Sequence, residues 1–339
     1  MLSAQPQSVT TITPLRISFA GGGTDFPDFY REHGGAVVST TINKYIYVTV
    51  KKHSPLFNEA YRLSYSVTEH TQSLEEIDND IARECLRLLP VDPPLFISTA
   101  ADLPAQSGLG SSSSFAVGLL YALHVMRGEE VSAGQLAEEA CEVEINVLKR
   151  PIGKQDQYAA AYGGLNHIVF AADDRVTLEH LWLPDDMTSR IFKNSMLFWT
   201  GMQRTAGSIL DEQKANIVAR TQTLIAMCDL ANRCRRDLAK GGQSIETFGK
   251  LLDEGWRAKR TLASKITTSD INIKYKAALA AGAIGGKIAG AGGGGFLFLI
   301  VPQDRQQTVR AALPGMTDIG LRYEPRGARI LSTLYDPAE

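Results

Sequence analysis

Runs of apolar and β-branched residues predict several strands in the first half of the chain. Tyr45, Tyr47 and Thr49 alternate with smaller or apolar neighbours, as in a strand with one buried face. The predicted strands cover residues 10–20, two β-rich runs within 34–52, and residues 61–66, 93–100 and 165–170.

Helical spacing of apolar positions separates these strands. Residues 75–89 carry apolar side chains on one helical face, and further helices are predicted at about 111–127 and over 132–149, the last with Ser132 as its N-cap. Residues 151–164 are predicted to form a loop that leads into a helical turn.

After about residue 185 the pattern becomes mainly helical. Helices are predicted over residues 204–241, 245–264 and 271–290, and strands over 196–201 and at the end of 291–302. This order predicts an α+β protein with an N-terminal β-rich domain over residues 1–185 and a C-terminal α+β domain over residues 186–339.

Composition and charge narrow the classes of function. The chain has 339 residues, 44% of them hydrophobic and 21% charged, with a formal net charge of −2. This balance disfavours nucleic acid and anionic membrane surfaces as partners. Neither a secretory signal nor a membrane-spanning run is evident, so we expect a cytoplasmic protein. The cysteines show no metal-binding spacing and are predicted to be reduced thiols: Cys85, Cys141, Cys228 and Cys234.

Three glycine-rich segments are the main chemical signal. The first glycine loop spans residues 20–25 (AGGGTD), the second 103–114 (LPAQSGLGSSSS) and the third 286–298 (GKIAGAGGGGFLF). Each lies at the end of a strand or between a helix and a strand. Because glycine lacks a Cβ atom, such loops let backbone N–H groups approach an anion closely.

The second glycine loop is predicted to follow a strand and to begin a helix. Unpaired N–H groups at a helix start, together with the positive end of the helix dipole, form a phosphate site. The four serines could act as N-caps and as hydroxyls that reach a phosphate or a metal; a plain capping run is the alternative. The segment lacks the lysine of a Walker A loop and the third glycine of a Rossmann fingerprint.

Residues 104–112, PAQSGLGSS, match the P-x-x-x-G-L-[GS]-S-S phosphate loop of the GHMP kinases. Residues 13–25 stand where that family carries its first motif, and residues 287–295 match its third. The chain therefore resembles a GHMP kinase over about residues 10–335. The resemblance implies the GHMP kinase fold, in which an N-terminal domain of the ribosomal protein S5 domain 2-like type precedes a ferredoxin-like α+β domain.

The first motif also indicates a branch of the family. Galactokinase-like members carry Gly-Glu-His-Thr-Asp, whereas this chain has Gly22, Gly23, Thr24 and Asp25. With residues 154–164, 200–206 and 254–264, this resembles the branch that phosphorylates the anomeric hydroxyl of D-glycero-D-manno-heptose 7-phosphate to the 1,7-bisphosphate. The fucokinase domain is a near relative, so another sugar such as L-fucose remains the alternative acceptor.

The resemblance implies ATP and Mg²⁺ as the other reactants. Phosphoryl transfer needs positioning and charge neutralisation, which the loop N–H groups and one Mg²⁺ must supply without a Walker lysine. Ser112 and Glu144 are the implied Mg²⁺ ligands, with Glu142 as a nearby alternative; a solvated helical face is the competing interpretation of both glutamates. The implied ATP-phosphate-binding residues are Pro104, Ser107, Gly108, Leu109, Gly110, Ser111, Ser112 and Ser113.

Asp156 matches the catalytic aspartate of the galactokinase and mevalonate kinase branches. A carboxylate within hydrogen-bond reach of the acceptor hydroxyl can orient it and take its proton. Arg16 matches an arginine of the first motif and is expected to pair with Asp156. Asp156 could instead cap the helical turn that follows it, and Arg16 could instead form an ion pair at a strand edge.

The resemblance also implies residues that bind the sugar. Carboxylates accept two hydrogen bonds and so suit vicinal diols, although Asp25 could instead stabilise a turn. Arg204 is the first choice for the distal phosphate, with Lys154, Lys259 and Arg260 as further candidates. The implied substrate-binding residues are Gly22, Gly23, Thr24, Asp25, Arg204, Gly292 and Gly293.

We therefore expect a kinase that acts on a small sugar phosphate and ATP, with no nucleic acid or membrane partner and with a homodimer as one option for its assembly. A non-catalytic sugar or nucleotide sensor on the same fold is the competing class. The presence of Asp156, Ser112 and Glu144 argues against it, because a sensor has no need to keep all three.

Overall fold

The computed structural model describes residues 6–203, 207–240 and 244–335. Its larger sheet is built on two long antiparallel strands, β1 (Pro6–Ala20) and β2 (Gly35–Lys52). Strand β2 is continuous where the sequence predicted two runs, because it pairs with β1 along most of its length. The remaining strands of this sheet are β3 (Tyr61–Ser64), β4 (Thr68–Thr71), β5 (Leu95–Ala101), β6 (Leu165–Phe170), β7 (Val176–His180) and β12 (Arg329–Tyr335).

The larger sheet runs in the order β12-β1-β2-β5-β3-β4, and β6 pairs with β2 and β7. Strand β2 pairs with β6 near its start and with β5 near its end, so it lies between β1 and two other strands. The final strand β12 returns to pair with β1. The C-terminal end of the chain thus belongs to the first sheet, and the domain division at residue 185 stays a prediction.

A smaller antiparallel sheet follows in the order β11-β8-β10-β9. Its strands are β8 (Ser195–Trp199), β9 (Gly285–Ile288), β10 (Phe296–Ile300) and β11 (Thr317–Asp318). The helix predicted over residues 271–290 was wrong at its end, because residues 285–288 form β9. A Cβ atom on Gly285 would lie 2.0 Å from the Gly249 carbonyl oxygen, so the glycine lets this strand pack directly on a helix.

Eleven α-helices are assigned within the described residues. Helix α3 packs on β1 and β2, and α8 and α9 pack between the two halves of the chain. Short 3₁₀ turns and one π-helical segment, Glu142–Val147, complete the fold. The helices are α1 (Pro27–His33), α2 (Asp80–Leu88), α3 (Ser111–Met126), α4 (Ala133–Cys141), α5 (Gln155–Tyr162), α6 (Asp185–Lys193), α7 (Gly207–Ala215), α8 (Thr221–Ala239), α9 (Ile245–Lys259), α10 (Ser269–Ala280) and α11 (Gln306–Ala312).

Aromatic side chains join the two halves. Phe19 at the end of β1 contacts Phe248 edge to face, with ring centroids 5.0 Å apart, and stacks on Phe298 at 5.8 Å. All three rings are buried in one continuous hydrophobic core. This contact fixes the smaller sheet against the end of β1, where the first glycine loop begins. None of the helices described is long and apolar enough to cross a bilayer.

Gly118 lets α3 approach β1 closely. A Cβ atom at this position would lie 2.7 Å from Thr13 Oγ1, and Thr11 Oγ1 donates to the Gly118 carbonyl at 2.9 Å. We predict that Gly118→Val lowers the free energy of unfolding by about 1–3 kcal/mol, because the added atoms overpack the interface. Urea unfolding followed by circular dichroism would measure this. Gly320→Val is the matched control, since no atom lies within 4 Å of that position; equal losses would contradict the packing argument.

Candidate active site

The three glycine loops meet at one cleft of about 890 Å³. Gly22 and Gly23 line it from the first loop, Gly108 and Gly110 from the second, and Gly290 from the third. These loops are far apart in sequence, so the fold itself assembles the cleft.

The second and third loops touch through backbone alone. Gly108 and Gly290 have φ angles of 84° and 69°, in the region that favours glycine. A Cβ atom on Gly108 would lie 2.5 Å from the Ala289 carbonyl oxygen, and one on Gly290 would lie 2.5 Å from Gly108 Cα. Any side chain at either position would therefore separate the two loops.

Arg16 and Asp156 form a two-bond ion pair at the centre of the cleft. The guanidinium Nε donates to Oδ1 at 2.7 Å and Nη2 donates to Oδ2 at 2.6 Å. Nη1 donates to the Gly108 carbonyl at 2.7 Å, so Arg16 also holds the second glycine loop. Asp156 lies in the first turn of α5 but does not cap it, since Lys154 occupies the N-cap position. The expected pairing is thus present in the structure.

Helix α3 begins at the second glycine loop, as the sequence predicted. Its N-cap position is Gly110, with φ 80°, so the expectation that the serines cap the helix was wrong. The serines instead form the first turn, where N–H groups lack helical partners. Ser114 Oγ donates to the Pro14 carbonyl at 2.9 Å, and the hydroxyls of Ser112 and Ser113 point to another partner, Glu144.

Glu144 lies on the π-helical segment and is fully buried. Its carboxylate accepts hydrogen bonds from Ser112 Oγ at 2.5 Å, Ser113 Oγ at 2.6 Å and Gln157 Nε2 at 2.7 Å. Burial raises the pKa of this carboxyl, and the serine hydrogen bonds oppose that rise. The solvated-face interpretation therefore fails for Glu144 but holds for the exposed Glu142.

The oxygen atoms of Ser112 and Glu144 fit the ligand preference of Mg²⁺. Across the described residues there is no group of three or more His, Cys, Asp or Glu side chains able to hold a metal ion. Such a cage is not required, because Mg²⁺ in ATP-dependent enzymes is bound by one or two protein groups plus phosphates and water. Mg²⁺ binding at these two residues stays a prediction.

Arg150 is a cleft residue that sequence reasoning missed. Its Nη1 donates to Ser112 Oγ at 2.9 Å and lies 3.7 Å from Glu144 Oε1, and its Nη2 donates to Asp80 Oδ1 at 2.8 Å. A guanidinium at the start of α3 adds positive charge where a phosphate would bind. No motif marks this arginine in the sequence, because only the fold brings it beside Ser112.

The first glycine loop contributes Asp25 but not Thr24. Asp25 lines the cleft and accepts from the Gly23 N–H at 2.9 Å and from Gln155 Nε2 at 3.0 Å; burial raises the pKa of its carboxyl. Thr24 is fully buried, and its hydroxyl donates to the carbonyls of Gly21 and Ala36. The sugar contact expected for Thr24 is therefore corrected to a structural role in the loop.

Several other predicted residues are absent from the lining of the cleft. Leu109 is buried in the core, and its carbonyl accepts from the Arg16 N–H at 3.0 Å. The Gly293 N–H donates to the Ile266 carbonyl at 2.8 Å. The residues of the third loop that line the cleft are Gly290 and Ala291. The predicted residues that do not line the cleft are Pro104, Ser107, Leu109, Gly292 and Gly293.

The basic residues considered for a distal phosphate differ in whether they line the cleft. Lys259 lines the cleft, whereas Arg260 donates to Asn272 Oδ1 at 3.1 Å and Lys154 donates to the Asp174 carbonyl at 3.3 Å. Arg204 lies outside the described residues. Lys287 of β9 is a further cleft-lining cation that was not predicted as a site residue.

The cleft also has a partly apolar end beside α2 and β5. Ile46 of β2 and Phe115 of α3 line it. Such side chains suit the flat ring of a nucleobase. The other residues lining this end are Tyr65, Ser66, Asn79, Ile81, Thr99, Ala101 and Leu103.

Comparison with known families gives two matches. Residues 75–164 match a sequence model described as the GHMP kinases N terminal domain, and residues 234–316 match one described as GHMP kinases C terminal. Together the two segments cover about half of the chain.

Individual relatives are sugar kinases by name, among them a heptose kinase, a fucokinase and several galactokinases. The chain is 29% identical to the D-glycero-alpha-D-manno-heptose 7-phosphate kinase of Campylobacter jejuni over 91% of its own length and 93% of that protein. It is 25% identical to the L-fucokinase/L-fucose-1-P guanylyltransferase of Bacteroides fragilis, over 88% of this chain and 35% of that protein. The solved structure of a D-glycero-D-manno-heptose 1-phosphate kinase from Bacteroides thetaiotaomicron superposes with a TM-score of 0.77 at 25% identity, covering 96% of this chain and 99% of that one.

The contact between the second and third loops can be tested by substitution. We predict that Gly108→Ala lowers the melting temperature by several degrees, because the methyl group meets the Ala289 carbonyl oxygen at 2.5 Å. Gly315→Ala is the matched control, since Gly315 has a similar φ of 79° but open space around it. A difference between the two variants isolates the loop contact from backbone strain, and identical shifts would refute it.

Proposed function

The chain belongs to the GHMP kinase family and is a sugar kinase, and we propose that it transfers the γ-phosphoryl group of ATP to the anomeric hydroxyl of D-glycero-D-manno-heptose 7-phosphate. The product is the 1,7-bisphosphate. The observation that carries the proposal is the Arg16–Asp156 pair beside the second glycine loop. A Cβ atom on Gly110 would lie 3.3 Å from Asp156 Oδ2, so this carboxylate directly faces the start of α3.

In the proposed reaction, Asp156 orients the acceptor hydroxyl and takes its proton as the oxygen attacks the γ-phosphorus; the bond between that phosphorus and the bridging oxygen breaks, and ADP leaves. Arg16 fixes the rotamer of Asp156 through two hydrogen bonds. The N–H groups at the start of α3 bind phosphate oxygens, and Arg150 adds a cation on the side of Ser112. The proposed transfer requires no covalent intermediate between the protein and the phosphoryl group.

Ser112 and Glu144 would hold Mg²⁺ in this proposal. When bound, the ion supplies neutralisation of the charge on the β- and γ-phosphates. Within the protein, Ser113 and Gln157 orient the Glu144 carboxylate by hydrogen bonds of 2.6 and 2.7 Å. This support keeps both carboxylate oxygens in place before any ligand arrives.

The choice of acceptor is supported by the Campylobacter jejuni relative, which the chain matches over nearly its whole length. The name of the Bacteroides thetaiotaomicron structure gives a 1-phosphate instead, so the two names agree on a heptose phosphate kinase and differ on position. L-fucose is the alternative acceptor, supported by the Bacteroides fragilis relative. A cytoplasmic location and a homodimer also remain proposals.

We predict that Asp156→Asn lowers kcat about 10²- to 10⁴-fold, because the amide cannot accept the proton. A coupled ADP-release assay with ATP, Mg²⁺ and heptose 7-phosphate would measure this, with L-fucose and unphosphorylated heptose as competing acceptors. Asp173→Asn, at an exposed carboxylate, is the control. Turnover of L-fucose alone would overturn the acceptor, and an active Asp156→Asn variant would overturn the base.

We predict that Glu144→Gln reduces, by about tenfold or more, the increase in ATP affinity that Mg²⁺ causes. The neutral amide is a poorer ligand for a hard cation than the carboxylate is. Titration calorimetry of ATP with and without Mg²⁺ gives a readout independent of turnover. Glu142→Gln, two residues earlier and exposed, is the matched control. The metal assignment fails if both variants keep the wild-type response to Mg²⁺.

A further inference from the structure

Arg150 contacts the same two side chains that are proposed to hold Mg²⁺. Its Nη1 donates to Ser112 Oγ at 2.9 Å and lies 3.7 Å from Glu144 Oε1. Its Nη2 donates at 2.8 Å to Oδ1 of Asp80, the first residue of α2. The protein therefore places a cation of its own beside the Ser112 and Glu144 oxygen atoms.

The buried Glu144 carboxylate needs a counter-charge. Its side chain has no exposed surface, and burying an unpaired carboxylate is strongly unfavourable. Its hydrogen-bond donors, the two serines and the glutamine described above, are neutral. Among the described residues, Arg150 is the one basic side chain that forms an ion pair with Glu144. Burial raises the pKa of Glu144, and the Arg150 charge is one of the contributions that oppose this rise.

The backbone around Arg150 fixes the direction of its side chain. The Arg150 N–H donates to the Glu144 carbonyl at 3.0 Å, which closes the turn after the π-helical segment. Lys149 has a φ of 55°, in the left-handed region that a non-glycine residue rarely adopts. Pro151 follows directly and disfavours a helical conformation at Arg150. The chain thus leaves the helix abruptly at this point and directs the guanidinium into the cleft.

The guanidinium is free to move, whereas the carboxylate is not. The Arg150 side chain is 31% exposed and that of Asp80 is 44% exposed, while the Glu144 side chain is fully buried. Rotation about the side-chain torsions of Arg150 is therefore enough to release Ser112 and Glu144. The backbone can stay in place during this movement, and Asp80 remains within reach as a partner.

A divalent cation on the same oxygen atoms conflicts with the guanidinium. At the usual Mg²⁺–oxygen distance, an ion on Ser112 Oγ would lie no farther than about 5 Å from Arg150 Nη1. Like charges at this distance repel each other unless an anion lies between them. The phosphates of a nucleotide are such an anion, because their oxygen atoms bind both a guanidinium and a metal ion. The site is thus suited to a metal ion together with a nucleotide, and unsuited to a metal ion alone.

We propose that Arg150 is a built-in counter-ion that makes the binding of a divalent cation at Ser112 and Glu144 depend on the binding of a nucleotide. Without phosphate, the guanidinium neutralises Glu144 and repels a metal ion. With phosphate, Arg150 releases Ser112 and pairs with the phosphate oxygens, and the metal ion takes its place beside Glu144. The inference rests on the proposed function in one respect, that Ser112 and Glu144 hold the metal.

Binding of Mn²⁺ to the protein without nucleotide tests the proposal, and the electron paramagnetic resonance signal of free Mn²⁺ measures it. We expect Arg150→Met to raise the affinity for Mn²⁺ about tenfold or more, within the usual range of coupling between two sites. Arg150→Lys, which keeps the charge, should bind Mn²⁺ as weakly as wild type. The gain should vanish when Glu144→Gln is added to Arg150→Met. Arg127→Met is the matched control, since Arg127 is 35% exposed and pairs with Glu129 outside the cleft.

Nucleotide binding gives a second readout that needs no turnover. Coupling between two ligands is reciprocal, so Mn²⁺ must raise nucleotide affinity by the same factor as nucleotide raises Mn²⁺ affinity. We expect this factor to be about tenfold or more smaller in Arg150→Met than in wild type. Calorimetric titration with a non-hydrolysable ATP analogue, with and without Mn²⁺, would measure it. The same titration of Arg127→Met should give the wild-type factor.

The inference is overturned if Arg150→Met binds Mn²⁺ in the absence of nucleotide no more tightly than wild type. It is also overturned if the gain survives Glu144→Gln, because the ion would then bind elsewhere. Arg150→Gln, which is neutral but can still donate to Ser112, replaces Arg150→Met if that variant does not fold. The same rise in Mn²⁺ affinity is expected for it, and its absence would be equally decisive.

Failure of the inference is distinguishable from failure of the proposed function. No acceptor is present in these titrations, so their outcome does not depend on which sugar the protein phosphorylates. If Glu144→Gln removes the response to Mg²⁺ but Arg150→Met leaves Mn²⁺ binding unchanged, the metal site stands and only the role of Arg150 fails. If Glu144→Gln keeps the wild-type response to Mg²⁺, the metal assignment fails and the inference fails with it.

Discussion

The ion pair between Arg16 and Asp156 is the contact on which the rest of the cleft depends. Arg16 lies in the long strand β1, Asp156 begins α5, and the remaining guanidinium nitrogen holds the Gly108 carbonyl of the second glycine loop. One side chain thus joins three segments that are widely separated in the sequence. Because Arg16 is almost completely buried, replacing either partner would leave a charge without its counter-charge. The pair therefore fixes both the position of the proposed base and its distance from the proposed phosphate site.

Glycine makes this arrangement sterically accessible. The second loop passes close to Arg16 and Asp156 at Gly110, and it touches the third loop at Gly108 and Gly290. At Gly110 and Gly108 the φ angles are positive, so both the space and the backbone favour glycine. The buried contact of Phe19 with Phe248 and Phe298 supports the same junction from the core side. Close backbone contacts between the loops and aromatic packing in the core thus both hold the two halves of the chain together next to the Arg16–Asp156 pair.

The sequence motifs predicted the roles of residues that depend on local sequence. They did not predict roles that are determined by tertiary packing. They identified the Arg16–Asp156 pair and the buried Glu144, but they assigned Thr24 to the sugar although the fold uses its hydroxyl to bind Gly21 and Ala36. Neighbouring positions show the limit most clearly. Lys259 and Arg260 are adjacent at the end of α9, yet only Lys259 faces the cleft, because successive helical side chains point in different directions. Arg150 belongs to no motif, and the residues of strand β9 were predicted as helix because its two glycines and short length give no strand pattern.

Basic and acidic side chains line the cleft in equal numbers, but only some of them form ion pairs with each other. Among the described residues, four basic side chains (Arg16, Arg150, Lys259 and Lys287) and four acidic ones (Asp25, Asp80, Glu144 and Asp156) line the cleft. Both arginines form ion pairs with carboxylates, whereas the two lysines donate to backbone carbonyls. A triphosphate and a sugar phosphate would together add several negative charges to a site whose described residues carry no formal excess of positive charge. These side chains alone cannot offset the added charge, which is the physical reason to expect a divalent cation at Ser112 and Glu144.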